Sequence, residues 1–205
     1  MIQKIIAFIA ILLVTLQITL CAQNNQRKEQ NMRNKKILVT FFSRAGENYN
    51  VGHIEKGNTH IIAEMIAQET GATLFRIQPV TPYPDDYTEC TEVAKRELKS
   101  HARPAVKGDV AVEDYDIIFI GYPNWWGDMP MPVYTFIEKH DWQGKTVIPF
   151  CTHEGSGLSG TESKLKSACQ GSKILKGLAV RGATAQNKQE QARQSVNNWL
   201  NKLDY

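Results

Sequence analysis

Lys36-Ile37-Leu38-Val39-Thr40-Phe41-Phe42-Ser43-Arg44-Ala45-Gly46 is the stretch on which the fold turns. Residues 37–42 form an apolar run broken only by Thr40, so a strand built from them has no polar face to turn to water. Such a run suits a central parallel strand covered on both sides. A loop containing Gly46 and Gly57 follows. Residues 58–70 then carry Ile61, Ile62, Met65 and Ile66 on one stripe and stop at Gly71, the pattern of a helix with a glycine end.

The same strand, loop and helix theme recurs along the chain. Residues 73–79 read as a second strand, and Pro82 and Pro84 force a turn before a helix over residues 85–101, with Pro104 beyond it. Residues 116–121 are a third strand, followed by a loop over 122–131 and a helix that begins near Pro132. Residues 145–151 and 174–180 supply strands four and five, with a short helix at 160–169 between them. Ala192, Val196, Trp199, Leu200 and Leu203 mark the last helix. Five strands alternating with five helices predict an α/β fold: a doubly wound parallel sheet with helices on both faces. Ligands in such folds sit at the carboxyl ends of the strands, where the strand order reverses. The loops after strands one, three and four are therefore the candidate site.

Composition narrows the function classes. With 205 residues the chain has room for one well-cored domain. Its net charge of +3 is small and includes the Lys/Arg-rich residues 27–36, which leaves no basic face of the kind that nucleic acid requires. Cys21, Cys90, Cys151 and Cys169 show no zinc-type spacing, and the last three read as ordinary buried thiols. At the start, Lys4 precedes an apolar run over residues 5–16 and a small residue, Ala22. That is the pattern of a secretory signal over residues 1–22, with a disordered polar linker over 23–35 and the domain over 36–205. Export to the periplasm is the expectation. Acylation at Cys21 would anchor the chain as a lipoprotein instead, although Leu20 stands where such sites favour a small residue. Initiation at Met32 would leave it cytoplasmic.

Each of the three loops has the chemistry to hold a ligand. The first offers Ser43, Arg44 and Ala45, then Gly57, Asn58 and Thr59 opening a helix. Hydroxyl donors and free amides at a helix start suit a phosphate, although Asn58 or Thr59 could equally be a plain helix cap. The second is Pro123-Asn124-Trp125-Trp126-Gly127, where adjacent tryptophans at a sheet edge suit stacking on a flat ring. One of the two is expected to pack under the neighbouring helix. The third is Thr152-His153-Glu154-Gly155-Ser156-Gly157, whose amides and hydroxyls suit the polar edge of a heterocycle. His153 and Glu154 read as solvated neighbours rather than an acid–base pair.

With these loops in view the sequence is similar to the flavodoxin family. The residues that carry the resemblance are Ser43-Arg44-Ala45-Gly46-Glu47-Asn48-Tyr49, Gly57-Asn58-Thr59 and Pro123-Asn124-Trp125-Trp126-Gly127. It implies a flavodoxin-like three-layer fold, with a five-stranded parallel sheet in the order 2-1-3-4-5, and one bound FMN. By the same resemblance Ser43, Arg44, Asn58 and Thr59 surround the FMN phosphate. Residues 123–127 lie beside the isoalloxazine, and residues 152–157 lie on its other edge. One departure is the stretch between Ser43 and Gly57, where flavodoxins have a compact phosphate loop; residues 47–55 are expected to form a flap. The implied function is electron transfer with unidentified redox-partner proteins. The alternative is an FMN-dependent NAD(P)H reductase acting on quinones or related acceptors. A phospho-acceptor receiver on the same fold is excluded, because Phe42-Ser43 and Gly121-Tyr122 stand where it needs acidic residues.

Overall fold

The computed structural model describes residues 35–205. The expected signal peptide, and the expected linker up to residue 34, lie outside the described residues.

β1 (Ile37–Phe41) is an interior strand of the sheet and is buried along its whole length. Alternation along it decides the two cores. Ile37, Val39 and Phe41 face α1 (Asn58–Thr70), while Leu38 turns to the opposite side. β4 (Thr73–Arg76) pairs with β1 on one side and β7 (Ile117–Pro123) on the other, both parallel. β8 (Thr146–His153) pairs with β7, and β9 (Lys173–Ile174) and β10 (Leu178–Arg181) both pair with β8, again in parallel. Numbered by the five expected strands, the order is 2-1-3-4-5. This is the flavodoxin-like doubly wound architecture, with the order reversing between β1 and β7.

α1, α5 (Gly182–Asn187) and α6 (Gln189–Leu200) cover the first core through Ile62, Ile66, Ala185, Val196 and Trp199. α3 (Met131–Ile137) and α4 (Thr161–Ala168) cover the second through Val133, Phe136 and Leu165, with α2 (Tyr87–Ser100) packed beside α3. Asp86 starts α2 by accepting the Glu89 amide at 2.8 Å, an ordinary N-cap.

Two expectations need correction. The fifth strand is not continuous over 174–180 but is split into β9 and β10. Lys145 and Val147 turn their carbonyls to the fifth strand, and Pro149, next in that row, has no N–H to offer it. Gly177 instead gives its amide to Glu162 Oε1 at 2.7 Å. The second strand leaves the sheet after Arg76, and β5 (Gln78–Pro79) pairs antiparallel with β6 (Val106–Lys107). The last expected helix is α6, and a short helix the sequence reading did not include, α5, precedes it; the two are parted at Lys188, whose φ of −140° and ψ of 54° are not helical.

The stretch after Ser43 is a small antiparallel hairpin, β2 (Gly46–Asn48) with β3 (Gly52–Ile54). Its base is fastened, because Glu47 donates its amide to Asp85 O at 3.1 Å. Among the described residues no helix is long and apolar enough to cross a membrane.

Candidate functional site

The carboxyl ends of β1, β7 and β8 meet at one edge of the sheet, and cross-loop hydrogen bonds hold their loops together. β1 delivers Ser43, which is nearly buried and whose Oγ accepts the His60 amide at 3.1 Å. That bond leaves the Ser43 hydroxyl proton free to donate. α1 opens at Gly57, which has no side chain to cap the first turn, and Ser43 takes the His60 amide there instead. A Cβ on Gly57 would lie 2.3 Å from both Arg44 O and Ser43 Oγ, so only glycine lets the two ends of the loop approach this closely. The result is a helix start lined by Ser43, Asn58 and Thr59, suited to an anion by its amides and dipole.

Thr59 is buried and meets the equally buried Thr152 of β8, Oγ1 to Oγ1, at 2.8 Å. Two hydroxyl protons serve one bond there, leaving one to donate elsewhere. Asn58 accepts from Gln186 Nε2 at 2.8 Å, which ties α1 to the segment after β10.

Arg44 lies at the site but is engaged elsewhere. Its Nε and one Nη donate to Pro84 O at 3.0 and 2.7 Å, that same Nη also reaches the carbonyls of Asp85 and Asp86, and the other Nη reaches that of Glu47. The guanidinium fastens the hairpin to the start of α2 rather than facing the helix end. Ala45 is the half-buried link between β1 and that hairpin.

The second loop turns tightly, with Trp125 and Asp128 bridged and Trp126 at a φ of 55°. Trp125 is the tryptophan that packs, edge-on to Phe42 at 5.3 Å and to Tyr83 at 5.0 Å. Trp126 stays 52% exposed, its Nε1 donating to Thr91 O of α2 at 3.0 Å and Lys95 Nζ standing 5.1 Å from its ring. Pro123 ends β7. Asn124 joins the second loop to the third, donating from Nδ2 to Gly157 O at 2.7 Å and to Ser159 Oγ at 2.8 Å. Its Oδ1 accepts the Gly127 amide.

In the third loop His153 and Glu154 do not pair. His153 Nδ1 accepts the Gly155 amide at 2.9 Å, and burial, then Arg181, hold its imidazole below the usual value. Glu154 accepts Ala183 N at 2.7 Å and Asn50 Nδ2 at 3.2 Å, linking the hairpin, the third loop and the start of α5. Gly155 and Ser156 are exposed, and Gly157 is half-buried beside Asn124. Cys151 beneath the loop is buried, donates to Gly157 O and is pushed up to about 12 by burial, so it stays a neutral thiol. Cys90 and Cys169 are likewise free and buried. Among the described residues no group of three or more His, Cys, Asp or Glu could hold a metal ion.

The sequence reading missed a fourth segment at this edge, the start of α5. A Cβ on Gly182 would lie 2.2 Å from Asn58 Nδ2 and 2.9 Å from Glu154 Oε1. Arg181-Gly182 at a strand end was the available hint, but a glycine at a turn has many uses.

The flavodoxin family model matches residues 36–203. The chain belongs to the flavodoxin family. Two solved structures resemble it over most of their length. One is a candidate flavoprotein of Bacteroides eggerthii, 30% identical, with a TM-score of 0.65 over 82% of this chain and 97% of that one. The other is a candidate flavoprotein of Bacteroides uniformis, 31% identical, with a TM-score of 0.65 over 82% and 99%. A flavoprotein of Lactobacillus acidophilus in complex with FMN shares the fold, at 22% identity and a TM-score of 0.56 over 75% and 97%. A search of the curated proteins finds no match. In this flavodoxin-family chain the three loops, Gly57 and the exposed Trp126 fit a flavin: an anion site at the start of α1, an aromatic face on the second loop and a polar loop beside it.

Proposed function

We propose that the protein binds one FMN at the carboxyl edge of its sheet and passes electrons through it. The close approach at Gly57 carries this reading, because it builds an anion site at α1 one loop away from an exposed indole. Ser43, Asn58 and Thr59 would hold the phosphate, and Arg44 would support it indirectly by fixing the hairpin. Residues 123–127 would lie along the ring and residues 152–157 along its polar edge. Bound FMN supplies the reversible electron chemistry; the protein binds, orients and shields it. The chain should retain about one FMN after loading and desalting, and a colourless product would overturn the reading.

A second reading, an NAD(P)H-dependent reductase of quinones or related acceptors, is favoured by a cavity of about 210 Å³ that Arg44, Asn124, Trp125 and Trp126 line together with Tyr87 and Thr91 of α2. Steady-state oxidation of NADH or NADPH separates the two, since a carrier is inert without its own reductase. We also infer export, supported by Lys4, the apolar residues 5–16 and Ala22. Fractionation of cells expressing the full chain tests it: a periplasmic product beginning at Gln23 is expected, and a full-length cytoplasmic one would contradict it.

A further inference from the structure

An anion at the start of α1 needs more positive charge than the helix supplies. A phosphate monoester carries roughly 1.5 to 2 negative charges near neutral pH, and a helix end offers about half a positive one. Ser43 and Thr59 are buried, so water does little to screen a charge placed beside them. Several cations at this edge of the sheet are already engaged. Arg44 gives its donors to the carbonyls of Glu47, Pro84, Asp85 and Asp86, and Glu47, Asp85 and Asp86 bring carboxylates to the same corner. Lys56 is held by both oxygens of Glu64 at 2.9 Å. Arg181 ends β10 beside His153, where Glu154 acts on the same imidazole with the opposite sign.

Arg76 is the exception. It ends β4 in register with Phe41 of β1, so its side chain leaves the sheet on the α1 face, as that of Phe41 does. The Phe41 ring lies 4.9 Å from that of His60, in the first turn of α1. One Nη of Arg76 donates to Ser43 O at 3.1 Å, on the residue whose Oγ holds the His60 amide. Among the described residues its other donors meet no acceptor, and no carboxylate pairs with it. Burial is the largest influence on the His60 imidazole, and three charges act on it besides: Glu64 raises its pKa, while Arg76 and then Lys56 lower it. One negative and two positive charges leave a single positive one at this turn. Glu154 lies with Asn58 against Gly182, but its oxygens take Ala183 N and Asn50 Nδ2, and Glu69 of α1 faces Arg193.

We propose that Arg76 is the cation of the phosphate site and sets its preference for a phosphate monoester over the uncharged alcohol, that is, for FMN over riboflavin. The proposal rests on the flavin reading above. Through Ser43 O the guanidinium is anchored to the loop that Gly57 closes, and its unengaged donors are available to phosphate oxygens in charge-assisted bonds. Arg44 fastens the hairpin and Arg76 supplies the charge, so the two arginines divide the roles that one would be expected to fill.

The test is titration of the full chain with FMN and, separately, with riboflavin, read by flavin fluorescence. Arg76→Gln keeps an N–H donor but removes the charge, and should weaken FMN about tenfold while riboflavin binds as before. Arg76→Lys keeps the charge and should recover most of the loss. Lys166→Met, which removes an exposed charge from α4 on the opposite face of the sheet, should change neither affinity. Arg76 is exposed, so its variants are expected to fold, and the wild-type preference for FMN over riboflavin is a reading that needs no variant. Wild-type FMN affinity in Arg76→Gln, an equal loss of FMN and riboflavin, or no recovery in Arg76→Lys would each overturn the proposal. A wild-type chain that binds both flavins equally would overturn the proposal alone. One that binds neither would overturn the flavin reading, and the proposal with it.

Discussion

Thr59 of α1 and Thr152 of β8 bond to each other, hydroxyl to hydroxyl, at 2.8 Å, and both are almost wholly buried. The bond locks the start of the helix to the end of the neighbouring strand, so the anion site and the third loop move together. Removing one hydroxyl strands the other away from water, which costs about 1–3 kcal/mol. Thr59→Val is therefore expected to lower urea stability by that amount. The double variant with Thr152→Val should cost less than the sum of the singles. Additive losses would show that the two hydroxyls are not coupled.

Gly57→Ala tests the cradle. The backbone of Gly57 is extended, with a φ of −63°, so alanine meets no conformational penalty and only the contacts at 2.3 Å oppose it. Ser43 and the Arg44 carbonyl must move away from the helix start to make room. FMN affinity should fall at least tenfold, read by flavin titration, while far-ultraviolet circular dichroism stays native.

The two tryptophans should separate stability from ligand binding. Trp125 packs on Phe42 and Tyr83, and Trp125→Ala is expected to cost about 3 kcal/mol in thermal or urea unfolding. Trp126 loses one hydrogen bond and one cation–π contact on truncation, together worth about 1 kcal/mol. Trp126→Ala should instead weaken flavin binding and the flavin's spectral shift.

His153 and His60 make stability depend on pH. Burial first, then Arg181, lowers the pKa of His153; burial first, then Arg76 and Lys56, lowers that of His60, although Glu64 opposes. Each imidazole then binds fewer protons in the folded chain than in the unfolded one. Stability is full above the ordinary imidazole value and is lost as pH falls from there through the folded value. Melting temperature should drop as pH is lowered from 7 to 5, and His153→Gln should flatten that drop. A variant with the wild-type slope would remove His153 from the account.

The sheet was legible because its central strands are buried on both faces and so read as unbroken apolar runs, as in residues 37–42 and 117–120. Pro149 hid the split of the fifth strand, since one missing N–H in the neighbouring strand leaves no trace in residues 174–180 themselves. The site loops were legible by residue type: Gly57, Asn58 and Thr59 sit at a helix start, and the paired tryptophans sit at a strand end. What those side chains touch was not. Arg44 has the charge to meet a phosphate, yet the carbonyls of residues 84–86 claim it, and they lie forty residues away in sequence. Long-range contacts of Gly182 and Gln186 with Asn58 were hidden for the same reason.

The central claim is that the carboxyl edge of this sheet holds a flavin, and the visible absorption spectrum after FMN loading and desalting tests it most directly. The account predicts retained flavin bands at a ratio near one FMN per chain, with retention reduced in Gly57→Ala. A wild-type chain that passes through desalting without colour would contradict it, leaving a flavodoxin-family fold whose loops serve another ligand.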